Sequence, residues 1–127
     1  MPIVASTHVG ACPVLVVEDD QDLREMMVQL LAYEGFDPTC ACDGVEALAR
    51  LHEAGPPPHV IVLDMMMPRM DGWTFRRIQE ADPALADIPV VVLSAAPRDR
   101  LERVHAAAIL QKPMDYDRLL EAVRANC

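Results

Sequence analysis

Four short apolar runs punctuate the chain, and each stops at a polar residue. Pro13-Val-Leu-Val-Val17 ends in Glu18-Asp19-Asp20. Val60-Ile-Val-Leu63 ends in Asp64. Pro89-Val-Val-Val-Leu93 ends in Ser94, and Ala106 to Gln111 ends in Lys112-Pro113. Runs this short and this unbroken read as strands buried on both faces, the kind found inside parallel sheets. Between them the apolar period changes. Leu23, Met26, Met27, Leu30 and Leu31 recur at i, i+3, i+4, i+7 and i+8, which predicts an amphipathic helix with Asp20 or Asp22 as its cap and Gly35 at its end. Val45, Leu48 and Leu51 mark a second helix over residues 44–54, closed by Pro56 to Pro58. A third runs over 72–81, and a short helical stretch over 99–105. A last helix over 116–125 turns Leu119, Leu120 and Val123 inward, with Asp115 as its cap.

Phe36 to Cys42 completes the set as a second strand. Pro38 lies inside it and cannot donate to a ladder, so this strand belongs at a sheet edge. Five strands alternating with five helices predict an α/β fold: a doubly wound parallel sheet with right-handed crossovers and helices on both faces. The edge position of the second strand favours the order 2-1-3-4-5, a flavodoxin-like arrangement. The switch point then falls between strands one and three, beside Glu18, Asp19 and Asp64. Residues 1–12 lack periodicity and read as a flexible extension ahead of one domain over 13–127.

Composition narrows the function. The chain has 127 residues, 52% hydrophobic and 24% charged, which suits one globular domain with a real core. A net charge of −9 without a Lys/Arg cluster opposes a phosphate backbone, so no binding to nucleic acid is expected. No apolar run approaches the roughly 20 residues that span a bilayer, and the first residues lack a signal-peptide pattern. Cys12, Cys40, Cys42 and Cys127 show no metal spacing, and Cys40 and Cys42 share a strand face without pairing. All four read as small apolar residues in a reducing cytoplasm. His8, His52, His59 and His105 read as surface or core residues.

In a parallel sheet all the strand ends lie on one edge. Two or three carboxylates, a hydroxyl and an ammonium therefore converge on one crevice. The carboxylates repel one another, and a hard divalent cation such as Mg²⁺ (or Mn²⁺) is the usual partner that offsets this. A cation, the Lys112 ammonium and the Ser94 hydroxyl around Asp64 suit phosphoryl transfer onto that carboxylate. Taken singly, Asp, Ser or Lys at a strand end is usually a cap or solvated surface; the ordered set is harder to explain that way.

The ordered blocks Val-Val-Glu18-Asp19-Asp20, Asp64-Met-Met-Met-Pro68-Arg-Met-Asp71-Gly72, Val-Val-Leu-Ser94-Ala95 and Gln-Lys112-Pro113 resemble the receiver domains of two-component response regulators, over residues 13–125. The resemblance implies that Asp64 is the phosphoacceptor, loaded by a histidine kinase or a histidine phosphotransfer protein. It implies Asp19 as a direct metal ligand and Glu18 as one acting mostly through water. The Met66 backbone carbonyl would be a further ligand. Ser94 matches the switch hydroxyl, Lys112 the phosphate-binding lysine, and Lys112–Pro113 is expected to be cis. The expected protein is a cytoplasmic, single-domain response regulator, a monomer or weak dimer, that catalyses only its own phosphorylation and dephosphorylation. The alternatives are a phosphorelay intermediate, or a receiver excised from a larger hybrid kinase or regulator.

Three departures from the pattern bear on signalling. Ile109 stands where the family usually has Tyr or Phe, three residues before the lysine. The stretch from Ser94 to Lys112 is short by about one helical turn. The glycine common before the fifth strand is absent from His105-Ala-Ala-Ala108. Rival readings fit less well. A haloacid-dehalogenase-type phosphatase needs a second Asp where Met66 stands. A pseudo-receiver would have lost members of the acidic, hydroxyl and lysine set. A flavin-binding fold would carry a phosphate-cradling glycine loop after the first strand.

Overall fold

The computed structural model describes residues 11–53, 55–95, 105–113 and 115–127. Five strands, β1 (Pro13–Val17), β2 (Asp37–Ala41), β3 (Val60–Asp64), β4 (Val90–Ser94) and β5 (Ala108–Gln111), form one parallel sheet in the order β2-β1-β3-β4-β5. Among the described residues four helices connect or follow them: α1 (Gln21–Tyr33), α2 (Gly44–Leu51), α3 (Gly72–Ala81) and α4 (Tyr116–Ala125). The helical stretch expected over 99–105 falls outside the described residues except for His105, which is not helical. The extension over 1–10 also lies outside them.

Strand alternation divides the core in two. Leu15, Val17, Ile61, Leu63, Val90 and Val92 point to one face, where Ala47 and Leu51 of α2 and Phe75 of α3 cover them. Val14, Val16, Val60, Val62, Val91 and Leu93 point to the other, against Met27 and Leu31 of α1 and Leu119, Leu120 and Val123 of α4. The three central strands are thus apolar throughout except at the last residues of β3 and β4, Asp64 and Ser94, because both of their faces are covered. Pro38 lies on the edge strand, as its missing N–H requires.

Each helix starts on an aspartate whose side chain accepts from the first turn. Asp20 accepts from the Leu23 N–H, Asp43 from Glu46, Asp71 from Thr74 and Asp115 from Asp117 and Arg118. Glu46 returns the favour by accepting from the Cys42 N–H at 2.7 Å, a complete capping box. The helical stripes differ in detail from the apolar pattern. Met26 is half exposed and accepts from the Tyr116 hydroxyl through its sulfur, and Val45 is exposed while Ala47 is buried. A small residue facing a sheet packs better than a larger one that must splay away. α2 also ends at Leu51, with His52 as its cap.

The cysteine expectation is overturned. Cys12 and Cys127 form a disulfide across a sequence separation of 115, with their Cα atoms 5.9 Å apart. Only Cys40 and Cys42 are free, both half-buried. The physical reason is topological: β1 is a central strand, and α4 packs over the same face, so the residue before β1 meets the residue after α4.

Candidate functional site

The C-terminal ends of β1, β3, β4 and β5 deliver Glu18, Asp64, Ser94 and Lys112 to one edge of the sheet. Glu18 is fully buried and Asp64 is 2% exposed, while Asp19 beside them is exposed. One oxygen from each of Glu18, Asp19 and Asp64 lies within 4.8 Å of the others. Lys112 reaches into this group, its Nζ 2.8 Å from Glu18 Oε1 and 3.5 Å from Asp64 Oδ2. Ser94 is buried, pairs in register with Gln111, and accepts from the Lys112 N–H at 2.9 Å through its carbonyl. The Lys112–Pro113 peptide is cis.

The surrounding loops are tied down from several directions. Glu18 Oε2 accepts from the Asp20 N–H, and Asp64 Oδ1 accepts from the Met66 N–H, both at 3.1 Å. Arg24, one turn into α1, donates to the Glu18 carbonyl at 2.9 Å. Gly72 permits the loop after β3 to close against the start of α3. A Cβ there would sit 2.6 Å from the Met65 backbone, so any other residue would push α3 away from Asp64. Met66 remains 47% exposed beside the phosphoacceptor candidate.

The electrostatics follow from the crowding. Burial, then the neighbouring Glu18 charge, pushes the Asp64 carboxyl up from 3.8 to about 7, while the Met66 amide and Lys112 pull it down less strongly. Burial pulls the Lys112 ammonium down, but its hydrogen bond to Glu18 and the charges of Asp64 and Glu18 outweigh that and raise it. Two buried carboxylates facing one ammonium leave a net negative site with an exposed third carboxylate at its mouth. An all-oxygen donor set of this charge fits a hard divalent cation.

A second anchor lies outside the residues singled out along the sequence. Asp43 is buried, caps α2 and pairs with Arg69, whose backbone takes the left-handed conformation at φ 66° within the loop after β3. This ties the β2–α2 loop to the loop that follows Asp64. The Asp43-x-x-Glu46 spacing signalled the cap; nothing local signalled the Arg69 contact.

A doubly wound five-stranded parallel sheet with an acidic pocket at its switch point and a lysine reaching in from the end of β5 is the architecture of a receiver domain. Residues 14–124 match the response regulator receiver domain family, and the chain belongs to it. It is 37% identical over 117 residues to the response regulator MprA of Mycobacterium avium and, over the same length, to that of Mycolicibacterium paratuberculosis; the alignments cover 88% of this chain and 49% of each relative. The chain thus spans about half the length of the curated relatives it matches. Among solved structures it resembles a response regulator receiver protein from Pseudomonas putida, with a TM-score of 0.83 and 26% identity over 91% of this chain and 98% of the other. It also resembles the signal receiver domain of a signal transduction histidine kinase from Syntrophus aciditrophicus, with a TM-score of 0.81 and 30% identity over 91% and 89%.

Proposed function

We propose that this domain accepts a phosphoryl group on Asp64 from a phosphohistidine of a histidine kinase or phosphotransfer protein, and that it signals through protein contacts. The observation that supports the reading is the juxtaposition of Asp64 with Glu18, Asp19 and Lys112 at one strand edge. In the proposed step a carboxylate oxygen of Asp64 attacks phosphorus in line, the P–N bond to the imidazole breaks, and an acyl phosphate forms. Lys112 Nζ and the Ser94 hydroxyl then hold phosphoryl oxygens. Glu18, Asp19, Asp64 and the Met66 carbonyl would hold Mg²⁺ or Mn²⁺, which supplies positive charge against the phosphoryl oxygens and the crowded carboxylates. The chain acts on no separate substrate in this reading. Incubation with acetyl phosphate and Mg²⁺, read by intact mass, tests it: a single phosphoryl adduct is expected, and an unmodified chain refutes it.

The metal assignment has its own test. Mg²⁺ is expected to raise the melting temperature by mass action, because it binds a site that the unfolded chain lacks. Asp19→Ala should remove most of that rise, and the fluorescence of Trp73, the single tryptophan, offers a second readout. Wild-type Mg²⁺ affinity in the variant would sink the assignment.

The switch is proposed to be unconventional. Ile109 pairs in register with Val92 and packs half-buried against the core face that contains Leu15 and Ile61. A β-branched side chain is stiff at χ1 and has no hydroxyl to change partners, so it cannot swing as a Tyr ring would. Amide chemical shifts with beryllofluoride, a phosphoryl mimic, are expected to concentrate around Asp64, Ser94 and α1. Equal or larger shifts across residues 97–112 would show otherwise.

The similarity to the histidine kinase receiver domain favours a second reading in which the domain relays its phosphoryl group onward to a histidine. Transfer from the phosphorylated domain to a histidine phosphotransfer protein distinguishes a relay from an endpoint. In either case the domain is read as cytoplasmic and as not binding duplex DNA by itself. No helix among the described residues is long and apolar enough to cross a membrane.

A further inference from the structure

The Cys12–Cys127 bridge lies at the opposite end of the sheet from Asp64. Cys12 immediately precedes β1, and Cys127 follows α4, whereas the acidic site occupies the far ends of the strands. A five-residue strand separates the two ends by roughly 16 Å. Both cysteines sit on backbone held in place independently of the bridge. The Cys12 carbonyl accepts from the Asp37 N–H at 2.9 Å, and Cys12 packs against the core face under α1 and α4. On the other side, the Asn126 side chain donates to the Ala122 carbonyl at 2.7 Å, and the Cys127 N–H donates to the Arg124 carbonyl. The resulting Cα separation of 5.9 Å lies in the middle of the range that disulfides span, so the fold itself presents the two thiols to each other. The other two cysteines stay free.

We propose that Cys12 and Cys127 are a redox modification site, a clasp closed and opened by thiol–disulfide exchange with a small-molecule or protein thiol couple of the glutathione class. On closing, one thiolate attacks the disulfide of the oxidised partner and releases a thiol. The second thiolate then attacks the mixed disulfide, forming the Cys12–Cys127 S–S bond and releasing the second partner thiol. The two cysteines lose two electrons and two protons, and the partner disulfide gains them. Cys127 is exposed, which gives the exchanging couple access. The proposal rests on the cytoplasmic reading above. In that compartment thiols are kept reduced, and disulfides that do form are usually transient and redox-sensing.

The clasp acts on α4. When closed, it ties the end of that helix to the start of a central strand. When open, α4 is held by Leu119, Leu120 and Val123 in the core and at its surface by the exposed Arg124–Glu34 ion pair, a weak tether. Closing a separation this long restricts the unfolded chain strongly, so the two states should differ widely in stability. The phosphoacceptor end, tied by its own contacts, should not respond.

The test equilibrates the full chain across ratios of reduced to oxidised glutathione, quenches with acid, alkylates and maps the labelled cysteines. Cys12 and Cys127 are expected to become protected together, in one two-electron transition, while Cys40 and Cys42 label throughout. The melting temperature of the oxidised form should exceed that of the reduced form by roughly 10 °C. Cys127→Ser should melt like the reduced wild type in both buffers, whereas the Cys40→Ser, Cys42→Ser double variant should keep the full response. Labelling of Cys12 and Cys127 under oxidising conditions, equal melting temperatures, or a bridge that resists every glutathione ratio in the folded chain would each overturn the proposal. Acetyl phosphate labelling of Asp64 is measured in both redox states and should be equal. A loss confined to the reduced state would overturn the independence of the two ends. Loss in both states would count against the receiver function alone, since the alkylation map still decides the clasp.

Discussion

Asp64→Asn is expected to abolish acyl phosphate formation with acetyl phosphate and, without divalent cation, to raise the melting temperature above neutral pH. The two effects share one cause. In the proposed step Asp64 acts as the nucleophile because its oxygen is held at a buried strand tip, and burial disfavours its anion for the same reason. Burial and the facing Glu18 lift its pKa to about 7 from the ordinary 3.8. A carboxyl raised this far makes ionising Asp64 cost the folded chain on the order of 2–4 kcal/mol. Asn keeps the shape without the charge. The melting temperature of the variant should then exceed that of the wild type by roughly 5–10 °C. The sign of the pH dependence follows from the raised value. The protonated carboxyl favours the folded state fully below about 4, and that advantage is lost as pH rises through about 7. The gap between the two proteins should therefore open with rising pH across that window and close on acidification. Unchanged phosphoryl labelling would refute the nucleophile assignment. A stability gap independent of pH would refute the electrostatic account and leave the assignment standing.

Most of this geometry was written in the positions where apolar runs stop. Residues at strand ends need only the strand count and the edge position of Pro38 to fall together, because a parallel sheet gathers all its C-terminal ends on one edge. Two of the caps, Asp20 and Asp115, were legible from the residues ahead of the apolar stripes, whereas Asp43 and Asp71, which also precede their helices by one residue, were not singled out. What escaped depends on contacts between segments far apart in the chain. No spacing signals that Arg69 reaches Asp43, or that Arg24 turns back onto the Glu18 carbonyl. The Cys12–Cys127 bridge escaped for the same reason: a pairing across 115 residues has no local pattern, and composition pointed towards four free thiols. Helical periodicity also overstated Met26 and Val45. They lie at the edges of their stripes, where a residue can turn outward at little cost.

Lys112→Ala is expected to be the most destabilising change at the site when divalent cations are removed, and the one most responsive to their return. Among the described residues, Lys112 is the cation that meets the buried carboxylates Glu18 and Asp64, bonded to Glu18 at 2.8 Å and lying 3.5 Å from Asp64. Removing one partner of a buried pair leaves an uncompensated charge and costs about 3 kcal/mol or more. A fall in melting temperature of roughly 10 °C should follow at neutral pH. In the wild type the raised Lys112 pKa keeps this support in place below the ordinary value of 10.5, and it is lost only as pH climbs through the higher folded value. The same ammonium competes with a divalent cation for the same oxygens. Its removal should tighten Mg²⁺ binding, tenfold for every 1.4 kcal/mol or so of repulsion relieved. Added Mg²⁺ should therefore restore more stability to Lys112→Ala than it adds to the wild type, even though the variant, without an ammonium for the phosphoryl oxygens, should phosphorylate poorly. Calorimetric titration and melting curves at matched Mg²⁺ concentrations measure both. Weaker Mg²⁺ binding in the variant would show that Lys112 organises the carboxylates for the metal instead of competing with it.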